Sequence, residues 1–167
     1  LYVPLNNPWI QAAQKACKDF MKCSWWPIGA VIVKDEKIIG TGANWSGGQF
    51  VPVCARYEKK CPTGTGYDLC ESVCGNKSFE HAEVSAINNA LKNNQNITDA
   101  DIYLFGHWWC CEKCWNKMIE HKIKNVYLLE DAHNIFTREN RGALQDKFAN
   151  RIKNGEKTTK EDATWQI

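Results

Sequence analysis

Apolar residues return every three or four positions between Pro8 and about Lys22, at Ile10, Ala13, Ala16, Cys17 and Phe20, which predicts an amphipathic helix. Pro27 ends that region. Gly29 to Val33 is an unbroken apolar run rich in β-branched residues, Asp35-Glu36 fits a hairpin turn, and Lys37 to Gly42 reads as the returning strand. Helical spacing resumes from His81 to Leu91, with Val84, Ile87 and Leu91 on one face. Ile102 to Phe105 predicts a strand, Cys111 to His121 a third helix, and Asn125 to Leu129 another strand. Arg138 to Lys153 reads as a fourth helix, although its apolar stripe is weak. Strands alternating with helices of about ten residues predict an α/β layered fold.

Two stretches break the pattern. Trp45 to Ser78 matches no regular element, and a loop of that length needs something to hold it. Gly155 to Ile167 is polar and is expected to be loose apart from Trp165 and Ile167. At 167 residues the chain is expected to form a single domain over 1–153, with an insertion at 45–78 and a polar tail at 154–167. A formal net charge of +2 provides no strong pull toward nucleic acid or an anionic membrane. The sequence lacks an apolar run near about 18 residues and an export-signal pattern, so a soluble protein is expected, with no membrane partner. The chain opens on Leu1 rather than Met, consistent with a trimmed N-terminus.

Nine cysteines is a high count for this length. Their spacing suits metal ligation better than a disulfide framework, which places the protein in a reducing cytoplasm. The sequons at Asn44, Asn76 and Asn96 are then chance matches.

The chemistry concentrates in His81-Ala82-Glu83, followed 27 residues after Glu83 by Cys110-Cys111-Glu112-Lys113-Cys114. His81, Cys111 and Cys114 make a three-ligand zinc site with an open fourth position, the form of a hydrolytic centre rather than a structural one. Cys111 and Cys114 are i and i+3 at the start of a predicted helix, where free N–H groups and the helix dipole favour thiolates. Glu83, two residues from His81, is poorly placed to share its metal and well placed to move protons. The alternative is a structural site completed by Cys110 or His107. Cys54, Cys61, Cys70 and Cys74 put four thiols across 21 residues of the insertion, which suits a tetrahedral Cys₄ zinc; the alternative is four unrelated thiols. Gly64-Thr65-Gly66 would supply the sharp turn there.

The H-x-E and C-x-x-C pairing is the signature of zinc-dependent nucleobase deaminases. From about Pro8 to about Leu129 the chain resembles the cytidine and deoxycytidylate deaminase superfamily, most closely its deoxycytidylate branch. The resemblance rests on Pro27-Ile28-Gly29-Ala30-Val31-Ile32-Val33, Gly42-Ala43-Asn44, His81-Ala82-Glu83-Val84-Ser85-Ala86-Ile87, the Cys111/Cys114 pair and Ile123-Lys124-Asn125-Val126-Tyr127. It implies a three-layer fold with a central mixed sheet flanked by helices, and a structural zinc in the Cys-rich insertion. It also implies hydrolysis of dCMP to dUMP and ammonia, with Glu83 as the proton carrier for a water that zinc acidifies from a pKa of about 15.7 toward about 7. Asn44 corresponds to a nucleotide contact, the Ala82 N–H to a donor for the pyrimidine carbonyl, and Trp108 or Trp109 to an aromatic beside the base. Members of the family self-associate, so a dimer or hexamer is expected.

Three departures stand out. Cys110 replaces the usual proline, the insertion contains no histidine, and Trp45-Ser46-Gly47 replace the start of a phosphate and effector region. Arg56, Lys59 and Lys60 are either phosphate contacts or a solvated turn. A deaminase of a base in single-stranded DNA or RNA shares the zinc chemistry, but near-neutral charge argues against it. A nucleoside or modified cytosine also fits, and a non-catalytic zinc scaffold leaves His-x-Glu without a purpose.

Overall fold

Helix α1 (Pro8–Phe20) starts where the sequence supplies a cap. The Asn7 side chain accepts from the N–H groups of Trp9 (2.9 Å) and Ile10 (3.2 Å), and Pro8 occupies the first helical position. The computed structural model describes residues 1–44, 49–62, 64–73 and 80–167. Its sheet contains β1 (Tyr2–Val3), β2 (Gly29–Lys34), β3 (Lys37–Ala43), β4 (Asp101–Phe105) and β5 (Asn125–Leu129), in the order β1-β5-β4-β2-β3. The β2–β3 and β2–β4 pairs are antiparallel, and the β4–β5 and β1–β5 pairs are parallel, so the sheet is mixed as expected. Asp35 and Glu36 turn the β2–β3 hairpin with φ of 50° and 56°, the positive values that a two-residue turn needs.

Both faces of the sheet are covered. Val31, Val33, Tyr103 and Phe105 pack with Ile10, Ala13 and Cys17 of α1 on one side. Ala30, Ile32, Ile102 and Leu104 pack on the other side against Ala86, Ile87 and Ala90 of α4 (Ala82–Lys92) and Met118 of α5 (Glu112–Glu120). Alternate residues of one strand thus feed two cores, and the central strands read as continuous apolar runs for that reason. Gly42 lets α4 lie directly on β3: a Cβ there would stand 2.3 Å from the Ala86 nitrogen and 2.6 Å from the Ala82 oxygen. The N-terminus of α4, which carries the H-x-E motif, is therefore seated on the sheet.

The structure departs from the sequence pattern in several places. β1 is too short for any periodicity to show. The insertion contains two short helices, α2 (Ala55–Glu58) and α3 (Tyr67–Ser72). After α6 (Ala132–Ile135), helix α7 (Arg138–Lys153) has the predicted bounds, and its inward face carries Arg141, Gln145 and Phe148. Polar residues on the buried side explain why its stripe was weak. The tail is ordered at a 3₁₀ turn (Glu161–Ala163), where Asp162 pairs with Arg151 at 2.9 Å and accepts from the Thr159 N–H. Trp165 is buried there and Ile167 is half-exposed. Among the described residues no helix is long and apolar enough to cross a membrane.

Candidate metal centre and its cavity

His81 is the N-cap of α4 and Cys111 the N-cap of α5, and neither uses its side chain to cap. Both rings of backbone donors are thereby left at the site while the side chains turn toward one another. The His81 Nδ1 lies 3.3 Å from the Sγ of Cys111 and 3.3 Å from that of Cys114. These three ligand atoms lie within 4.8 Å of one another, and they are the only such cluster among the described residues. One imidazole and two sulfurs are a zinc donor set with room for a fourth, external ligand. Without a metal, burial, the Glu83 carboxylate and the neighbouring Cys111 sulfur all push the Cys114 thiol up. A divalent cation deprotonates the thiols that coordinate it, and with one imidazole and two sulfurs converging the residues fit the metal.

Glu83 is in the first turn of α4, only 4% exposed, and lines the same cavity as His81 and Cys111. Neither alternative fourth ligand joins the cluster. The Cys110 thiol faces the Glu83 carboxylate, which with burial pushes it up, and packs against the α4–α5 core. The His107 Nδ1 accepts from the N–H groups of Trp108 (3.1 Å) and Trp109 (3.2 Å). Burial and proximity to His81 pull His107 down to about 4, so it is neutral near pH 7 and poorly suited to an anion.

The cavity is about 440 Å³, within the range of small-molecule pockets. Asn44 lines it, buried, with its side chain clamped: Oδ1 accepts from the Ile28 N–H at 2.8 Å, and Nδ2 donates to the Trp26 carbonyl at 2.6 Å. One Nδ2–H and one lone pair remain for a ligand. Ala82 is buried at the first position of α4, where a backbone N–H has no intrahelical partner. Trp108 and Trp109 line the cavity at its rim, 44% and 47% exposed.

Two further indoles, Trp25 and Trp26, form part of the wall and were not singled out from the sequence. The only signal was their position just ahead of Pro27. Trp26 donates to the Gly106 carbonyl at 3.0 Å and meets Trp165 edge-on at 5.8 Å, and Trp165 donates to the Pro27 carbonyl at 3.0 Å. The wall is braced from the tail.

The insertion thiols are distributed differently from the expected set. Cys54 and Cys70 are buried together with Cys23, which precedes the insertion by many residues. Cys23 and Cys54 share a hydrogen bond that holds Cys54 low and Cys23 high. Cys61 lies against Gly66 and lines the cavity instead, and Cys74 lies outside the described residues.

A mixed sheet with an open His/Cys/Cys centre and a buried carboxylate defines the class of zinc-dependent hydrolytic deaminases. The model of the cytidine and deoxycytidylate deaminase zinc-binding region matches residues 5–130, and the chain belongs to that family. No curated protein matches the sequence. Among solved structures, the chain is similar to the dCMP deaminase of cyanophage S-TIM5 in complex with dCMP and dUMP. The two are 19% identical, with a TM-score of 0.50, covering 84% of this chain and 88% of that one. The apo form of that enzyme is similar at 20% identity and a TM-score of 0.49, covering 80% and 89%. Guanine deaminase from Bacillus subtilis is similar at 20% identity and a TM-score of 0.45, covering 77% of this chain and 68% of that one.

Proposed function

We propose that this protein deaminates a cytosine nucleotide, most simply dCMP to dUMP and ammonia. The observation that carries the reading is one cavity lined by His81, Cys111 and Glu83 and walled by indoles and Asn44. The cyanophage enzyme of similar fold is complexed with dCMP and dUMP. When bound by His81, Cys111 and Cys114, zinc supplies Lewis acidity and lowers the pKa of water. Water adds at C4 of the ring, the C4–N bond breaks, and ammonia leaves as the C4 carbonyl forms. Glu83 takes one proton from the attacking water and passes it to N3, then takes the second from the C4 hydroxyl of the adduct and delivers it to the departing amino group. Its burial keeps bulk water from competing for those protons. The indoles exclude solvent and offer faces for the pyrimidine, Asn44 holds the sugar side, and the Ala82 N–H meets the pyrimidine carbonyl.

The half-exposed Trp108 and Trp109 favour a second reading, a base within a single strand, because indoles stack on any base. Ammonia release by the zinc-loaded protein decides between them, with dCMP, CMP, dCTP, deoxycytidine and a cytosine-containing DNA strand as substrates. Turnover of dCMP supports the nucleotide enzyme, turnover of the strand alone replaces it, and silence on all five rejects both.

A second, structural zinc in the insertion is part of the proposal, with Cys54, Cys70 and the neighbouring Cys23 as its candidate ligands. These three are buried in one cluster, their sulfurs do not all lie within 4.8 Å of one another as those of the first site do, and Cys74 lies outside the described residues. Nearby, the buried Arg141 ties the Ser24–Trp25 segment to α7. Its guanidinium donates to the carbonyls of Trp25 (2.7 Å), Ser24 and Ala163 (2.6 Å), its Nη1 has no partner among the described residues, and its pKa is pulled to about 10 by burial. The eight described cysteines are free thiols, in keeping with a cytoplasmic protein. A homo-oligomer, dimer or hexamer, is supported by Trp115 and Ile119, which stand exposed on α5, and sedimentation at working concentration tests it.

A further inference from the structure

Two arginines line the cavity along with the metal cluster: Arg56 of α2 and Arg138 at the first turn of α7. They come from chain segments 82 positions apart (138 minus 56) and meet on one loop. The Arg56 Nε donates to the Thr65 carbonyl at 2.8 Å, and the Arg138 Nη2 donates to the Cys61 carbonyl at 2.8 Å. Each guanidinium also lies over a ring, Arg56 4.1 Å from the centre of Tyr67 and Arg138 5.9 Å from that of Trp25. Carbonyl and ring together fix where each charge sits.

A run of aromatic rings links that place to the metal side of the cavity. Successive ring contacts lead from His107 to Trp26 (5.9 Å), from Trp26 to Trp25 (5.8 Å), and from Trp25 to Arg138. The N-terminus of the 16-residue helix α7 borders the same region, since Phe136 and Arg138 flank its cap Thr137 and both line the cavity. A helix N-terminus adds positive potential to that of the side chains. Lys59 and Lys60, the other cations of this turn, are exposed and do not line the cavity.

We propose that Arg56 and Arg138 form an anion subsite that takes the terminal phosphate of a nucleoside monophosphate, making them the residues that select nucleotide over nucleoside. The inference rests on the deaminase reading for the identity of the base and stands on separate residues. Arg138 lies beyond the family match at 5–130, so the family motifs do not supply it. Planar forks bind phosphate oxygens in pairs, which lysines cannot do. A terminal phosphate carries about −1.5 to −2 charge near pH 7, matching two guanidiniums, whereas each linkage of a strand carries a single charge. Phosphate at this end leaves the ring to reach Glu83 past the indoles.

The test is equilibrium binding of dUMP, deoxyuridine and a short oligo-deoxyuridine strand to the zinc-loaded protein, read by tryptophan fluorescence, alongside dCMP turnover. Wild type is expected to bind dUMP at least about tenfold tighter than deoxyuridine. Arg138→Gln and Arg56→Gln are each expected to erase most of that ratio while deoxyuridine affinity and zinc content hold, and Arg138→Lys to restore part of it. Equal affinity of wild type for dUMP and deoxyuridine, a ratio unchanged in both glutamine variants, or tighter binding of the strand than of dUMP overturns the subsite. Absence of a dUMP preference in the wild type with dCMP turnover intact removes the subsite and leaves the deaminase. A preference kept without turnover of any cytosine substrate removes the deaminase and leaves the subsite.

Discussion

The two thiol sites of this chain are built in opposite ways. His81, Cys111 and Cys114 sit at the N-termini of α4 and α5, helices seated on one sheet, so their spacing along the chain translates directly into three atoms within 4.8 Å. Of the insertion thiols, Cys54 is the N-cap of the short α2 and Cys70 lies on the short α3, both outside the sheet-backed helices. There the chain reaches back to Cys23, whose segment is joined to the insertion by a bridge to Val51 and by the Val51 N–H donating to the Lys22 carbonyl at 2.8 Å. Cys61, close in sequence, faces the cavity. Spacing reports a metal site when regular elements carry the ligands, and loses its meaning where a loop folds against a distant segment.

The sharpest way to test that contrast is at the first site. Glu83→Ala is expected to lower turnover on the order of a hundred- to ten-thousand-fold while zinc content, measured by atomic emission, stays at the wild-type value. Loss of metal along with activity would make Glu83 a ligand instead of a proton carrier. At the second site the pair to compare is Cys23→Ser and Cys61→Ser. The first is expected to lose one zinc equivalent and several degrees of Tm, the second to keep both metals. The reverse pattern restores the grouping read from sequence spacing.

Smaller effects probe what connects the sites. Arg141→Met removes the donors to three buried carbonyls and is expected to cost roughly 2–4 kcal/mol in urea unfolding. A neutral result would mean that the pocket wall does not depend on α7. Trp165→Phe trims the buried indole to a single ring and deletes the bond to the Pro27 carbonyl, for a loss of roughly 2–3 kcal/mol and a raised KM without loss of zinc. The smallest is a pH effect at His107. Its folded pKa of about 4 lies below its ordinary 6.5, so the unfolded chain binds the extra proton first. Stability should therefore fall as pH drops from about 6.5 to about 4, and His107→Asn should flatten that limb relative to wild type.

Much of the frame was legible before any coordinates. The bounds of α7 and β5, the hairpin at Asp35-Glu36 and the starts of α4 and α5 follow from periodicity and local turn chemistry, which act over a few residues. The tail was harder to read because its anchors are polar: the Arg151–Asp162 ion pair orders a stretch whose composition suggests a loose end. The buried face of α7 was obscured in the same way, since a guanidinium satisfied by distant carbonyls looks solvent-facing in sequence.

The sequence by itself determined the layered fold and the family, because both depend on spacings within single elements. Tertiary structure alone decided that Trp25 and Trp26 wall the cavity, that Cys23 joins Cys54 and Cys70, and that Arg56 and Arg138 share one loop. Those groupings join segments tens of residues apart, through carbonyl hydrogen bonds and ring contacts that leave no period in the chain.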